Sequence, residues 1–211
     1  MNVVVKLGGS LISSAPDIVN QLLEYAQTSK DRDVAILIVP GGGIFADKVR
    51  SVSEKYDIGD GAAHWMAILA MEQYGYYLTD KTGAKGIESI NDLPCGVSIL
   101  LPYRLLKETD ELAHSWDVTS DAIAAWVAYR LNACFVKATD VDGILMDNAL
   151  IREIGATGLL DMGTTCVDKE LPKFIRAKNM DCMVVNAHYP GRIIAAIEGG
   201  AVIGTYIKGN I

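Results

Sequence analysis

The sequence predicts an α/β fold, a three-layer αβα sandwich built on a mainly parallel central sheet. Three observations predict it. Short, continuous apolar runs rich in β-branched residues recur along the chain, as strands covered on both faces require. Amphipathic stretches with helical spacing separate those runs. Glycine-rich turns follow several of them, at the strand ends where ligands collect in parallel sheets.

The elements follow in order. Asn2–Val5 reads as a buried strand. Ser14-Ala15-Pro16-Asp17 resembles a helix start, with a capping serine and an acid three positions on. Ile18, Leu22, Leu23 and Ala26 then share one helical face. Val34–Val39 is a second strand, closed by Pro40-Gly41-Gly42-Gly43, with a helix from Ile44 and another over Gly61–Tyr77. Val97–Leu101 is a strand, Thr119–Leu131 a helix and Cys134–Lys137 a strand ending in Ala138-Thr139-Asp140-Val141-Asp142-Gly143. A helix over Glu170–Asn179, a strand over Cys182–Asn186, a helix over Pro190–Glu198 and a strand over Ala201–Ile207 complete the series.

The 211 residues suit one domain, and no repeat, linker or low-complexity segment divides them. Two lobes, 1–105 and 106–211, are expected to meet near residues 100–118, where Pro102 and polar residues loosen the pattern. Half the residues are hydrophobic and 21% are charged, so the chain can bury a core. A net charge of −7 with no compensating basic run argues against a nucleic-acid partner. No apolar stretch of about 18 residues predicts a membrane span, and Lys6 interrupts the only apolar N-terminal run, so a soluble, cytoplasmic protein is expected. Cys95, Cys134, Cys166 and Cys182 read as free, mostly buried thiols of a reducing compartment. They form no metal-ligand pattern with His64, His114 and His188.

Three strand ends carry residues suited to chemistry. In Lys6-Leu7-Gly8-Gly9-Ser10, adjacent glycines let backbone N–H groups approach phosphate oxygens, and Lys6 supplies a cation. A tight turn with a solvated lysine accounts for the same residues. Gly41, Gly42 and Gly43 form a second candidate anion cradle, or a flexible turn. The third strand end carries Lys137, Thr139, Asp140, Asp142 and Gly143; its two aspartates and glycine suit ribose hydroxyls or a plain Asx turn, and the aspartates could also be magnesium ligands. Neither glycine loop fits a Walker A or a dinucleotide fingerprint.

Together these motifs resemble the amino-acid-kinase family over nearly the whole chain. Val4–Leu11 (V-V-K-L-G-G-S-L) is similar to the family's opening, Gly41–Gly43 to its second glycine loop, and Thr119-Ser120-Asp121 to the segment carrying its organising aspartate. Lys137–Gly143 is similar to its K-T-D-V-D-G nucleotide motif, with Ala138 as an extra residue. The resemblance implies ATP with Mg2+ as cofactors and a phosphoryl-transfer reaction. Lys6 and Lys169 would neutralise charge, with Asp121 holding both, and Lys173 is the alternative to Lys169, since the family's Gly-Met pair is missing before it. It also implies a homo-oligomer, for which the Ala/Met-rich stretch 61–77 would serve as interface or as an ordinary buried helix.

Length and one segment bear on which acceptor the resemblance implies. The chain is short for members with regulatory domains and suits those that phosphorylate a phosphate. His114–Asp121 (H-S-W-D-V-T-S-D) resembles the branch of methanofuran biosynthesis, which acts on an aminomethylfuran-methyl phosphate. Such an acceptor needs an aromatic wall (Trp116 or Trp65), an acid for its ammonium (Asp60 or Asp117) and phosphate donors (Arg50, His64 or Arg104). Uridylate or isopentenyl phosphate kinases, and an ATP-binding oxoanion-storage protein, are the alternatives.

Overall fold

The computed structural model describes residues 1–29, 33–163 and 165–210. The N-terminal half contributes β1 (Asn2–Leu7), α1 (Ala15–Thr28), β2 (Ala35–Pro40), α2 (Gly43–Tyr56), α3 (Asp60–Thr82), β3 (Lys85–Ile87), β4 (Gly96–Leu100) and α4 (Pro102–Thr109). The rest contributes α5 (Ser120–Arg130), β5 (Cys134–Thr139), the short strands β6 (Leu145–Met146) and β7 (Ala149–Leu150), β8 (Glu153–Gly155), α6 (Ala156–Leu160), α7 (Glu170–Lys178), β9 (Cys182–Asn186), α8 (Gly191–Ile197) and β10 (Gly204–Lys208). Eight strands form one sheet in the order β3-β4-β2-β1-β5-β9-β10-β8, and β6 pairs with β7 in a separate hairpin. Every pairing in the large sheet is parallel except β9 with β10.

Alternation along β1 assigns the two faces. Val3, Val5 and Leu7 point into a core shared with α1 and α8. Val4 points into a second core made largely by α5 and α7. Lys6, two residues on from Val4, therefore projects toward the α5 side. By the same alternation Phe135 joins the α5 core while Val136 and Ala138 join the other, which sends Lys137 toward α5 as well. Val3, Val4 and Val5 are all fully excluded from water, and burying each such side chain is worth about 1.5–3 kcal/mol.

Several expectations need correction. Ser14 occupies the first cap position but makes no capping hydrogen bond. Its Oγ donates to the Leu11 carbonyl at 3.2 Å, because a 3-10 turn over Gly9–Leu11 already delivers the chain into α1. Of the stretch 100–118, read as loosened, Pro102–Thr109 is helix α4 with Pro102 at its first turn, where proline's missing N–H has no intrahelical partner to lose, while residues 110–118 lie outside helix and strand. The last strand begins at Gly204 rather than Ala201 and runs antiparallel to β9, Gly204 opposite Val185. Cys95 and Cys134 are exposed and only Cys182 is buried, with all four thiols free. No helix among the described residues is long and apolar enough to cross a membrane.

One buried hydroxyl braces the loop after β5. Thr205 is fully buried; its Oγ1 accepts from the Ile144 N–H at 2.8 Å and donates to the Ile151 carbonyl at 2.6 Å. Thr205→Val keeps the shape but strands both backbone groups, and a loss of about 2–3 kcal/mol is expected. Urea unfolding measures it, and faster hydrogen exchange at the Ile144 amide localises it.

Candidate active site

The C-terminal ends of the central strands are tied together by their own loops. The Gly41 N–H donates to the Leu7 carbonyl at 2.8 Å, Gly8 N–H to Ala138 at 3.0 Å and Ala187 N–H to Thr139 at 2.8 Å. Each bond joins the residue beyond one strand to the end of its neighbour, so the loops form one rim. The two glycine loops interlock within that rim. A β-carbon on Gly9 would lie 2.5 Å from the Gly43 nitrogen, and one on Gly41 would lie 2.7 Å from the Gly9 nitrogen. Gly43 also has φ of +51°, a conformation costly for other residues. These glycines let two backbones touch, and the flexible-turn account of Gly41–Gly43 is set aside.

Beneath the rim, β1 and β5 place Lys6 directly opposite Lys137 in parallel register. Asp121, in the first turn of α5, meets both. Lys6 Nζ lies 2.8 Å from its Oδ1, and Lys137 Nζ donates to its Oδ2. All three residues are buried. Burial alone pushes the Asp121 carboxyl up, but the two ammonium groups outweigh it and hold it well below the usual carboxylate range. Burial lowers the Lys6 pKa, with Lys137 adding to the effect against Asp121. For Lys137 burial acts in the same direction, yet Asp121 prevails and raises its pKa. The expectation that Asp121 holds Lys6 and Lys169 is thus corrected: its two lysines are Lys6 and Lys137.

Asp168 is a member that sequence reasoning missed. Its N–H donates to Asp121 Oδ2 at 3.1 Å. Its carboxylate accepts from Thr119 Oγ1 at 2.6 Å, the Ala122 N–H at 3.2 Å and the Leu171 N–H at 2.6 Å. One side chain thereby caps the starts of both α5 and α7. Burial, with Asp121 nearby, pushes its carboxyl up. An aspartate three residues before Leu171 at a helix start was the available signal.

Two cavities open beside this cluster. The first, about 540 Å³, is lined by Gly9, Ser10, Gly42, Gly43, Arg50, Asp60, His64, Trp116, Thr119 and Ser120 among others. The second, about 400 Å³, is bordered by Trp116, Asp117, Thr119, Asp168, Lys169 and Lys173. Gly9, Ser10, Gly42, Gly43, Asp60, His64 and Trp116 therefore meet at one hollow, with Arg50 stacked over the Trp116 ring at 5.4 Å. Asp117 faces the second hollow instead. Trp65 and Arg104 border neither: Trp65 packs on Tyr103 and His114, and Arg104 pairs with Glu108 and Glu88. His64 stacks on His114 with ring centroids 4.4 Å apart, and burial, then His114, lowers its pKa. Lys173 pairs with Glu170 at 2.5 Å, whereas Lys169 makes no ion pair among the described residues.

The loop after β5 is held from below. Asp142 accepts from Arg192 at 2.5 Å and from Asn186 at 3.0 Å, which lowers its carboxyl pKa through those bonds. Thr139 Oγ1 donates to Asp140 Oδ1 at 3.2 Å, leaving the Asp140 side chain at the exposed rim. A β-carbon on Gly143 would meet Thr205 Oγ1 at 2.5 Å. Among the described residues, no three His, Cys, Asp or Glu side chains converge as a metal site.

Asp121→Asn leaves two facing ammonium groups buried without a counter-ion, and a loss of about 3 kcal/mol or more is expected in urea unfolding at neutral pH. The carboxyl pKa is depressed by folding, so its contribution is complete above the unfolded value of about 4 and fades only as pH falls toward the folded one. The gap between wild type and variant should therefore persist at pH 4.

Known proteins resemble this chain in sequence and in fold. The 33% identical [5-(aminomethyl)furan-3-yl]methyl phosphate kinase of Methanocaldococcus jannaschii aligns over 98% of this chain and 97% of its own. A uridylate kinase of Thermofilum pendens is 24% identical over 97% of each chain. Among solved structures, uridylate kinase from Archaeoglobus fulgidus superimposes with a TM-score of 0.73 at 20% identity, covering 98% of this chain and 100% of the other. The UMP kinase of Bacillus anthracis gives 0.70 at 17% identity, over 100% of this chain and 96% of the other. The sequence pattern of the amino acid kinase family matches residues 1–93 and 97–186, and the chain belongs to that family.

Proposed function

We propose that this kinase-family chain transfers the γ-phosphoryl of ATP to the phosphate of a small acceptor, giving ADP and a diphosphate. The observation that carries the reading is the buried Lys6–Asp121–Lys137 cluster at strand ends capped by two interlocked glycine loops. Phosphoryl transfer needs positioning and neutralisation of spreading charge more than covalent catalysis. An acceptor phosphate oxygen attacks the γ-phosphorus, the bond to the bridging oxygen breaks, and ADP leaves with that electron pair. A phosphate monoester has its second pKa near 6, so it is largely ionised at neutral pH and needs no general base.

In this reading Lys6 and Lys169 flank the transfer and Asp121 orients Lys6. Gly8, Gly9 and Ser10 bind the ATP phosphates, with Thr139, Asp140, Asp142 and Gly143 on the nucleoside side. Gly41, Gly42 and Gly43 cradle the acceptor phosphate. Residues 1–105 thus serve mainly the acceptor and 106–211 the nucleotide. An Mg2+ ion arriving with ATP would be held chiefly by phosphate oxygens and water and would supply charge neutralisation on the transferring group. The protein acts in the cytoplasm, as a homo-oligomer whose α3 exposes Leu69 and Tyr76.

The acceptor we favour is [5-(aminomethyl)furan-3-yl]methyl phosphate. Support comes from the relative that is 33% identical over 98% of this chain and from the first cavity. Trp116 offers a wall for a flat ring and Asp60 a carboxylate for an ammonium. A uridine phosphate has no cation for Asp60 to meet. ADP release measured with a panel of phosphorylated acceptors tests this: release with the furan phosphate alone is expected, and steady turnover with UMP would reassign the substrate. Lys6→Ala should fold, with unchanged circular dichroism, and lose turnover by about 100-fold or more; near-normal turnover in a folded variant sinks the role given to Lys6.

A further inference from the structure

We propose that Lys137 is a positioning residue, whose buried ammonium occupies one oxygen of Asp121 so that Lys6, on the other oxygen, stays free to move onto the transferring phosphoryl group. The role given to Lys6 rests on the kinase reading above; the arrangement of charges does not.

Parallel pairing of β1 and β5 sets Lys6 and Lys137 opposite each other, and strand alternation turns both toward α5. Two ammonium groups so placed repel, and a single carboxylate serves both. The sharing is unequal. Oδ2 of Asp121 receives Lys137 Nζ and, at 3.1 Å, the Asp168 N–H, whereas Oδ1 has an ion-pair contact with Lys6 at 2.8 Å and, among the described residues, no aligned hydrogen bond. Side-chain exposure follows the same order, 3% for Lys137 and 9% for Lys6. Neither lysine borders the cavities beside the cluster; Lys137 is the more deeply buried of the two and has Asp121 as its hydrogen-bond partner, so its charge acts through Asp121. The carboxylate is thus matched by Lys137, and the residual positive charge belongs to Lys6, two residues before the Gly8–Gly9 turn. The depressed pKa of Lys6 and the raised pKa of Lys137 accord with this division. Without Lys137, Asp121 and Lys6 would close into a one-to-one pair, and Lys6 would have to break it to reach a phosphate.

The test compares Lys137→Met and Lys137→Arg with wild type by three measurements. Lysine side-chain NMR follows the titration of Lys6, its signal assigned from its loss in Lys6→Ala. Calorimetry gives the affinity for MgATP, and ADP release with the furan phosphate gives kcat against pH. In Lys137→Met the Lys6 titration is expected to move up by about one pH unit or more, because a neighbouring like charge is gone. The alkaline limb of kcat should move with it, and kcat should fall about tenfold or more while MgATP affinity holds within about twofold; Lys137→Arg should restore both. An unmoved Lys6 titration, or weakened MgATP binding with kcat unchanged, would overturn the proposal and make Lys137 an inert buried group or a nucleotide ligand. A wild type that releases no ADP with any phosphate acceptor defeats the kinase reading, and the Lys6 titration then decides the role of Lys137 alone. If Lys137→Met fails to fold, Lys137→Gln, which keeps a donor for Asp121 without the charge, supplies the same comparison.

Discussion

Two neighbouring strands of this sheet bring two lysines to the same height on the same face, and Asp121 is the counter-charge that lets them stay there. Isolated ammonium groups in a water-poor interior cost many kcal/mol, so the Lys6–Lys137 register would be untenable without a carboxylate between them. The position of α5 follows from that need. Its first turn must deliver Asp121 to the gap between β1 and β5, and Thr119 and Asp168 satisfy the N–H groups this leaves at the helix start. Asp168 also caps α7, so the approach of α7 to α5 is tied to the same carboxylate cluster.

Above the cluster, the backbone is brought close by subtraction. Gly9, Gly41 and Gly43 have no side chains, and the two loops that carry them meet at distances a β-carbon would forbid. The result is a rim of N–H groups held by bonds between successive strand ends. Such a rim can be rigid although it is rich in glycine, because its atoms are packed against each other rather than exposed to solvent.

The first cavity takes its outer wall from a different source. Residues between α4 and α5 lay Ser115, Trp116, Val118 and Thr119 over it, and the His64–His114 stack with the His114–Asp110 contact at 2.7 Å pins that segment to α3. Trp116 thus belongs to both hollows and separates the glycine-lined one from the one that holds Lys169.

The layer architecture and most elements were legible in the sequence because buried parallel strands read as unbroken apolar runs and helices as periodic ones. Glycines marked the loops, Lys6 and the 137–143 segment stood out by type and position, and Asp121 stood out only through the family resemblance of Thr119-Ser120-Asp121. The short strands β3, β6, β7 and β8 and the five-residue helix α6 left no such trace, since segments of two to five residues carry no readable period. The direction of β10 was equally silent: a five-residue buried strand looks alike read either way, and only its partner assigns it as antiparallel. Residue chemistry and local spacing therefore determined the candidate groups. Tertiary structure decided which of them meet, because β1 lies beside β5, more than a hundred residues away along the chain, and that adjacency makes Lys137 rather than Lys169 the second lysine on Asp121.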